Sequence, residues 1–173
     1  SDDTNVYAVD IQTGRQKWKF STSRPVISQP LLYEGLLFFG SMDWNMYAVD
    51  AKAGWAVWNH RTHSWVVSSP AISELLGMIY FGSGDRNVYA LDYSRGRRGW
   101  QFETEGSIGC SPAVSDEAVY IGSSDGYFYS LDARTGELRW KFYAGSGIVS
   151  SPVIGENMVY VGARNNRVYA LLL

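Results

Sequence analysis

Cysteine, histidine and charge are all scarce in this chain. Its 173 residues include one cysteine, Cys110, and two histidines, His60 and His63. A lone thiol excludes a disulfide within the chain and leaves the redox compartment open. The two histidines have no third ligand beside them in sequence, so no metal site is expected, since zinc sites take at least three protein ligands. Ser/His/Asp catalysis is equally unsupported, and Cys110 is expected to be buried rather than reactive. Charged residues reach only 18%, with Lys plus Arg at 15 against Asp plus Glu at 17. No basic excess or Lys/Arg run offers a phosphate track, so nucleic acid is not an expected partner. No apolar run reaches the length of a membrane span. The opening Ser1-Asp2-Asp3 lacks signal-peptide character. What the chain does hold is apolar and aromatic: 46% and 15%, with seven Trp, twelve Tyr and seven Phe. That composition supports a sizeable core and argues against disorder.

A long-period repeat organises these aromatics. Tyr7-Ala8-Val9-Asp10 recurs as Tyr47-Ala48-Val49-Asp50, Tyr89-Ala90-Leu91-Asp92 and Tyr129-Ser130-Leu131-Asp132, and a fifth copy begins Tyr169-Ala170-Leu171. The tyrosines are 40, 42, 40 and 40 residues apart. Trp18, Trp58, Trp100 and Trp140 follow the first four tyrosines at one spacing, and Pro30, Pro70, Pro112 and Pro152 follow the tryptophans at another. A two-residue insertion near Glu74-Leu75-Leu76-Gly77 accounts for the one longer interval, as a surface hairpin would allow.

Each repeat reads as four short strands. The first is placed around Ser-Pro, as in Val149 to Ile154. The second is Met158 to Gly162, the third Arg167 to Leu171, and the fourth carries the tryptophan, as in Leu138 to Phe142. The middle strands are apolar on both faces, whereas a sheet with one wet face would alternate. Four-stranded sheets covered on both sides, about 40 residues each, describe the blades of a β-propeller. The fold class is therefore all-β, with four-stranded antiparallel blades in about four repeats, forming one domain over residues 1–173. The chain offers third and fourth strands at its start and first to third strands at its end, with one third strand surplus. Closure with four blades, a dimeric ring of about eight, or a longer parent propeller would each accommodate that surplus. The balance favours a fragment or a homodimer.

The string from Asp132-Ala133-Arg134-Thr135-Gly136 to Trp140-Lys141-Phe142, preceded by Tyr129-Ser130-Leu131, resembles the repeat of quinoprotein-like propellers. Asp10 to Phe20 matches it as well. The resemblance covers nearly the whole chain. It implies a propeller of the kind found in quinone-dependent alcohol dehydrogenases, in an outer-membrane assembly lipoprotein and in kinase sensor domains. It favours an extracytoplasmic location. The dehydrogenases of this family hold their quinone with a vicinal cysteine pair and calcium-binding acidic residues. One cysteine cannot supply that pair, so neither a cofactor nor catalysis is expected.

The recurring aspartates and glycines are expected to build turns. The serine-rich pairs Ser28-Gln29, Ser68-Ser69, Cys110-Ser111 and Ser150-Ser151 are expected near the central channel. Residues that break the repeat carry the functional reading. After the recurring Asp3, Asp43, Asp85 and Asp125 stand Thr4, Trp44, Arg86 and Gly126, with Asn166 aligned. Trp55 and Trp65 also lie outside the pattern. Trp and Arg are enriched in binding hot spots, so Trp44, Trp55, Trp65 and Arg86 are the candidate partner-binding residues. The expected function is a non-catalytic scaffold or sensor module that binds protein through its loops. The alternatives are a fragment of a quinone-dependent dehydrogenase, or a carbohydrate-binding propeller with the extra tryptophans as stacking platforms.

Overall fold

The computed structural model describes residues 1–173 and is built entirely of strands and turns. An N-terminal pair, β1 (Asn5–Val9) and β2 (Gln16–Ser21), is followed by three complete blades. The first comprises β3 (Leu31–Tyr33), β4 (Leu36–Gly40), β5 (Asn45–Asp50) and β6 (Ala56–Arg61). The second comprises β7 (Ala71–Ser73), β8 (Met78–Gly82), β9 (Asn87–Asp92) and β10 (Arg98–Glu103). The third comprises β11 (Ala113–Val114), β12 (Ala118–Gly122), β13 (Tyr127–Asp132) and β14 (Leu138–Tyr143). A C-terminal triple, β15 (Val153–Ile154), β16 (Met158–Ala163) and β17 (Arg167–Leu172), completes the chain. Every sheet is an antiparallel meander of strands in chain order.

One boundary differs from the sequence reading. The innermost strand starts after the proline and does not surround Ser-Pro. Proline has no N–H to give to a ladder, and the residues before it bond across to other elements. Ser28 Oγ accepts from Gly40 N at 2.8 Å and donates to Gly40 O at 2.9 Å, and Ser150 does the same with Gly162. Cys110 Sγ approaches Gly122 O at 3.2 Å. The first member of each serine pair is thus turned into the blade rather than towards the channel. The second member points to its neighbour: Gln29 N donates to Ser69 Oγ, Ser69 N to Ser111 Oγ and Ser111 N to Ser151 Oγ, at 2.8 to 3.0 Å. These rungs join blade to blade where the first strands β7, β11 and β15 converge.

The core lies between sheets as four separate seams. In the seam between the first and second blades, Phe38, Met46 and Ala48 meet Ile79, Phe81, Tyr89 and Leu91. Glycines at the end of the second strand let the backbones approach. A Cβ on Gly82 or Gly122 would lie 2.1 Å from Ile108 or Ile148, which no packed core tolerates.

Three of the four repeated tryptophans lock a seam. Trp18, Trp58 and Trp100 lie on Gly54, Gly96 and Gly136 of the next blade, where a Cβ would come within 2.6 Å of the indole. Their Nε1 atoms donate to Ala51 O, Tyr93 O and Ala133 O at 3.0, 2.8 and 3.0 Å. Those glycines have φ of 80, 66 and 77°, a conformation that costs other residues a Cβ clash. Trp140 is half-buried beside Phe142, Leu171 and Leu172.

Of the closure arrangements weighed from the sequence, a four-bladed ring completed within one chain is not what forms. The N-terminal pair and the C-terminal triple are separate sheets with no ladder between them.

Candidate partner-binding face

At one end of the blades, the turn between the second and third strands meets the connection arriving from the preceding blade. An aspartate frames each of these corners. Asp43 Oδ1 accepts from Asn45 N at 3.2 Å and Asn45 Nδ2 at 2.9 Å. Its Oδ2 accepts from Tyr47 OH at 2.9 Å and from Ser23 N, in the arriving connection, at 3.1 Å. Asp85 repeats the set with Asn87 N, Tyr89 OH and His63 N at 3.1, 2.7 and 2.9 Å. Asp125 does so with Tyr127 N, Tyr129 OH and Glu105 N at 2.8, 2.8 and 3.0 Å. The turn role read from the sequence is present, and two further partners join it: the tyrosine four residues on, and the incoming loop. The constant Asp-to-Tyr spacing was the available sign of the first.

Electrostatics follow from this frame. Burial would raise the Asp85 carboxyl, but the N–H of His63, the Tyr89 hydroxyl and Asn87 hold it below the usual carboxylate range. Burial pushes Tyr47, Tyr89 and Tyr129 upward, and the adjacent carboxylates add to that rise.

The residue after the aspartate, or after Asn165 in the last corner, lies in the left-handed region. Thr4, Trp44, Arg86, Gly126 and Asn166 have φ of 67, 78, 75, 90 and 62°. Only glycine is at ease there. Trp44 is held 40% exposed, with the Arg61 guanidinium 5.4 Å from its ring centroid. Arg86, in the next blade, pairs with Glu103 at 2.7 Å.

The four residues singled out by sequence do not converge. Trp44 and Arg86 occupy equivalent corners of adjacent blades on one face. Trp55 is 65% exposed beyond the other end of β5, on the opposite face. Trp65 packs on Gly84, where a Cβ would lie 2.4 Å from the indole, and approaches Gly109. Trp44 and Trp55 therefore do not make a common stacking platform.

Sequence reasoning missed two arginines. Ser23, Arg24, Asp43, Trp44, Asn45 and Arg61 line a hollow of about 290 Å³ at the first blade's corner. Both arginines break the repeat: Arg61 aligns with Glu103 and Tyr143, and Arg24 with Ser64, Gly106 and Ser146. The test that found Trp44 would have found them.

The histidines lie apart. His60 packs edge-on against Tyr89 at 5.5 Å, and burial lowers its pKa. His63 sits in the exposed connection that meets Asp85. No three His, Cys, Asp or Glu side chains come together in a metal-holding group. Cys110 is buried, and burial pushes its thiol up to about 11, far from the thiolate that a nucleophile requires.

Comparisons with known proteins place this architecture. No curated protein sequence matches the chain. Among solved structures, BamB from Moraxella catarrhalis superposes with a TM-score of 0.82 at 19% identity, covering 98% of this chain and 56% of that one. Saccharomyces cerevisiae Sqt1 gives 0.88 at 16%, covering 100% and 54%. The quinohemoprotein alcohol dehydrogenase ADHIIG from Pseudomonas putida gives 0.71 at 21%, covering 81% and 28%. At these identities the likeness is one of fold, and the chain spans about half the length of BamB and Sqt1. The family model described as outer membrane protein assembly factor BamB matches residues 1–104 and again 84–172. With repeat, fold and family in agreement, the chain belongs to the PQQ-repeat β-propeller family of the assembly factor BamB.

Proposed function

We propose that this chain is a non-catalytic scaffold that binds a protein partner through the face carrying Trp44 and Arg86. One observation carries the reading: Trp44 is held exposed at φ 78°, where the third blade places Gly126. A non-glycine residue in that region costs on the order of 1–3 kcal/mol. The indole lies outside the apolar seams, with only the Arg61 guanidinium over its ring. Exposed tryptophan on a rigid, hydrogen-bonded corner is a recognition feature, presenting large area at little entropic cost. The matching family is described as an assembly factor, which is in keeping with partner binding. The single cysteine is buried, with its thiol pushed up to about 11, which does not suit a nucleophile.

The test is panning of a displayed peptide library on the chain. Peptides should be enriched that bind the parent and Trp55→Ser equally but are lost on Trp44→Gly. Enrichment of binders indifferent to Trp44→Gly, or of none at all, would refute the reading.

A further inference from the structure

We propose that the hollow at Trp44 receives an acidic side chain of a protein partner, held between Arg24 and Arg61 with the indole as its apolar wall. This rests on the reading of that face as protein-binding and names the chemistry it recognises.

The molecule contains its own controls, because the same corner occurs in each blade. In the second blade the left-handed residue is Arg86, and Glu103 on the fourth strand answers it at 2.7 Å. That corner is neutralised from within. In the third blade the equivalents are Gly126 and Tyr143, and no charge needs an answer. In the first blade the position of Glu103 is taken by Arg61, and Arg24 enters from the arriving connection. Neither arginine belongs to any of the four ion pairs of the chain. Asp43 lines the same hollow, but its two oxygens already accept from Ser23, Asn45 and Tyr47. The first corner thus replaces the Arg86–Glu103 pair of the second by Trp44 and Arg61, and adds Arg24.

The remaining features fit a carboxylate on a peptide. Guanidinium groups bind carboxylates through paired N–H donors. Arg61 is already oriented by its stacking on Trp44, so part of its side-chain entropy is lost before binding. A space of about 290 Å³ suits one side chain and its flanking backbone, smaller than most drug-sized ligand pockets.

The experiment measures fluorescence anisotropy of a fluorescein-labelled Gly-Trp-Glu-Gly peptide against the full chain, with the Gly-Trp-Gln-Gly peptide as the neutral reference. The acidic peptide should bind more tightly, and its advantage should shrink with added salt, as exposed charge pairs are screened. Arg61→Glu should weaken it by about fivefold, in the range of exposed ion pairs. The double variant Trp44→Arg/Arg61→Glu, which transplants the second blade's pair, should remove the preference while leaving the melting temperature unchanged. Equal binding of acidic and neutral peptides, indifference to Arg61→Glu, or displacement by inorganic phosphate as readily as by unlabelled Gly-Trp-Glu-Gly would overturn the proposal. If the acidic preference fails while panned peptides still depend on Trp44, the acidic anchor falls and the partner face stands. If both fail, both fall.

Discussion

Ser130 is a buried hydroxyl with no hydrogen-bond partner, opposite Trp140 in the ladder between β13 and β14. The same place in the other repeats holds Ala8, Ala48, Ala90 and Ala170. A small residue is required beside the indole, and alanine meets that need without stranding a polar atom. Ser130→Ala should therefore raise stability by about 1 kcal/mol in urea unfolding; a loss would reveal a partner for the hydroxyl. The paired aspartates and tyrosines set the pH window. Tyr47, Tyr80, Tyr89 and Tyr129 are raised in the fold, Tyr80 to about 12 by burial. Their folded state keeps the proton longer than the unfolded one, so stability is full below about pH 10 and declines above it. Asp10, Asp85, Asp92 and Asp132 are lowered by hydrogen bonds. Their contribution is present above about pH 4 and is lost as pH falls further. Melting temperature followed by circular dichroism should show a plateau between those limits, and Tyr89→Phe should flatten the alkaline limb.

At the level of the strand and its joint, Trp18, Trp58 and Trp100 do the locking. Trp100 lies on Gly136 and donates to Ala133 O, whereas Trp140 has neither glycine nor acceptor. Trp100→Ala should cost about 3–5 kcal/mol, the usual range for emptying a large buried aromatic site. Trp140→Ala should cost clearly less, and equal losses in urea unfolding would deny the joint its role. These joints were legible in the sequence because Trp and Gly keep step with Tyr through every repeat. The inner strand was not. Ser-Pro looks like strand by composition, yet its hydroxyls and amides are spent on β4, β8, β12, β16 and the neighbouring blades. The candidate site was half legible. Breaking the repeat singled out Trp44, Trp55, Trp65 and Arg86, of which Trp44 and Arg86 share a face and Trp55 lies on the opposite one. Trp65 fills the space over two glycines, and it was selected with the others because sequence spacing does not say which end of a strand a loop reaches or what lies beneath it.

Across the whole molecule, each sheet packs only on the sheets before and after it, through seams of similar make. The outward face of the C-terminal triple repeats a face that is covered one blade earlier. Val168 is 77% exposed, while Phe128, forty residues before it, is fully buried. Val168→Lys should leave the melting temperature of the isolated chain within about 0.5 kcal/mol equivalent of the parent, as surface changes do. Phe128→Lys should prevent cooperative unfolding altogether, because it strands a charge inside the seam with Trp140 and Val159. A large loss from Val168→Lys would mean that this face is covered in solution.

The left-handed corner has an evolutionary consequence. At the Asp43, Asp85 and Asp125 corners it is framed by the aspartate, the tyrosine and the incoming amide, none of which is the residue displayed there. Thr4, Trp44, Arg86, Gly126 and Asn166 are five different occupants of one socket. Display and folding are thus assigned to different letters of the repeat, so a new specificity can be tried at one blade without renegotiating how the blades hold together.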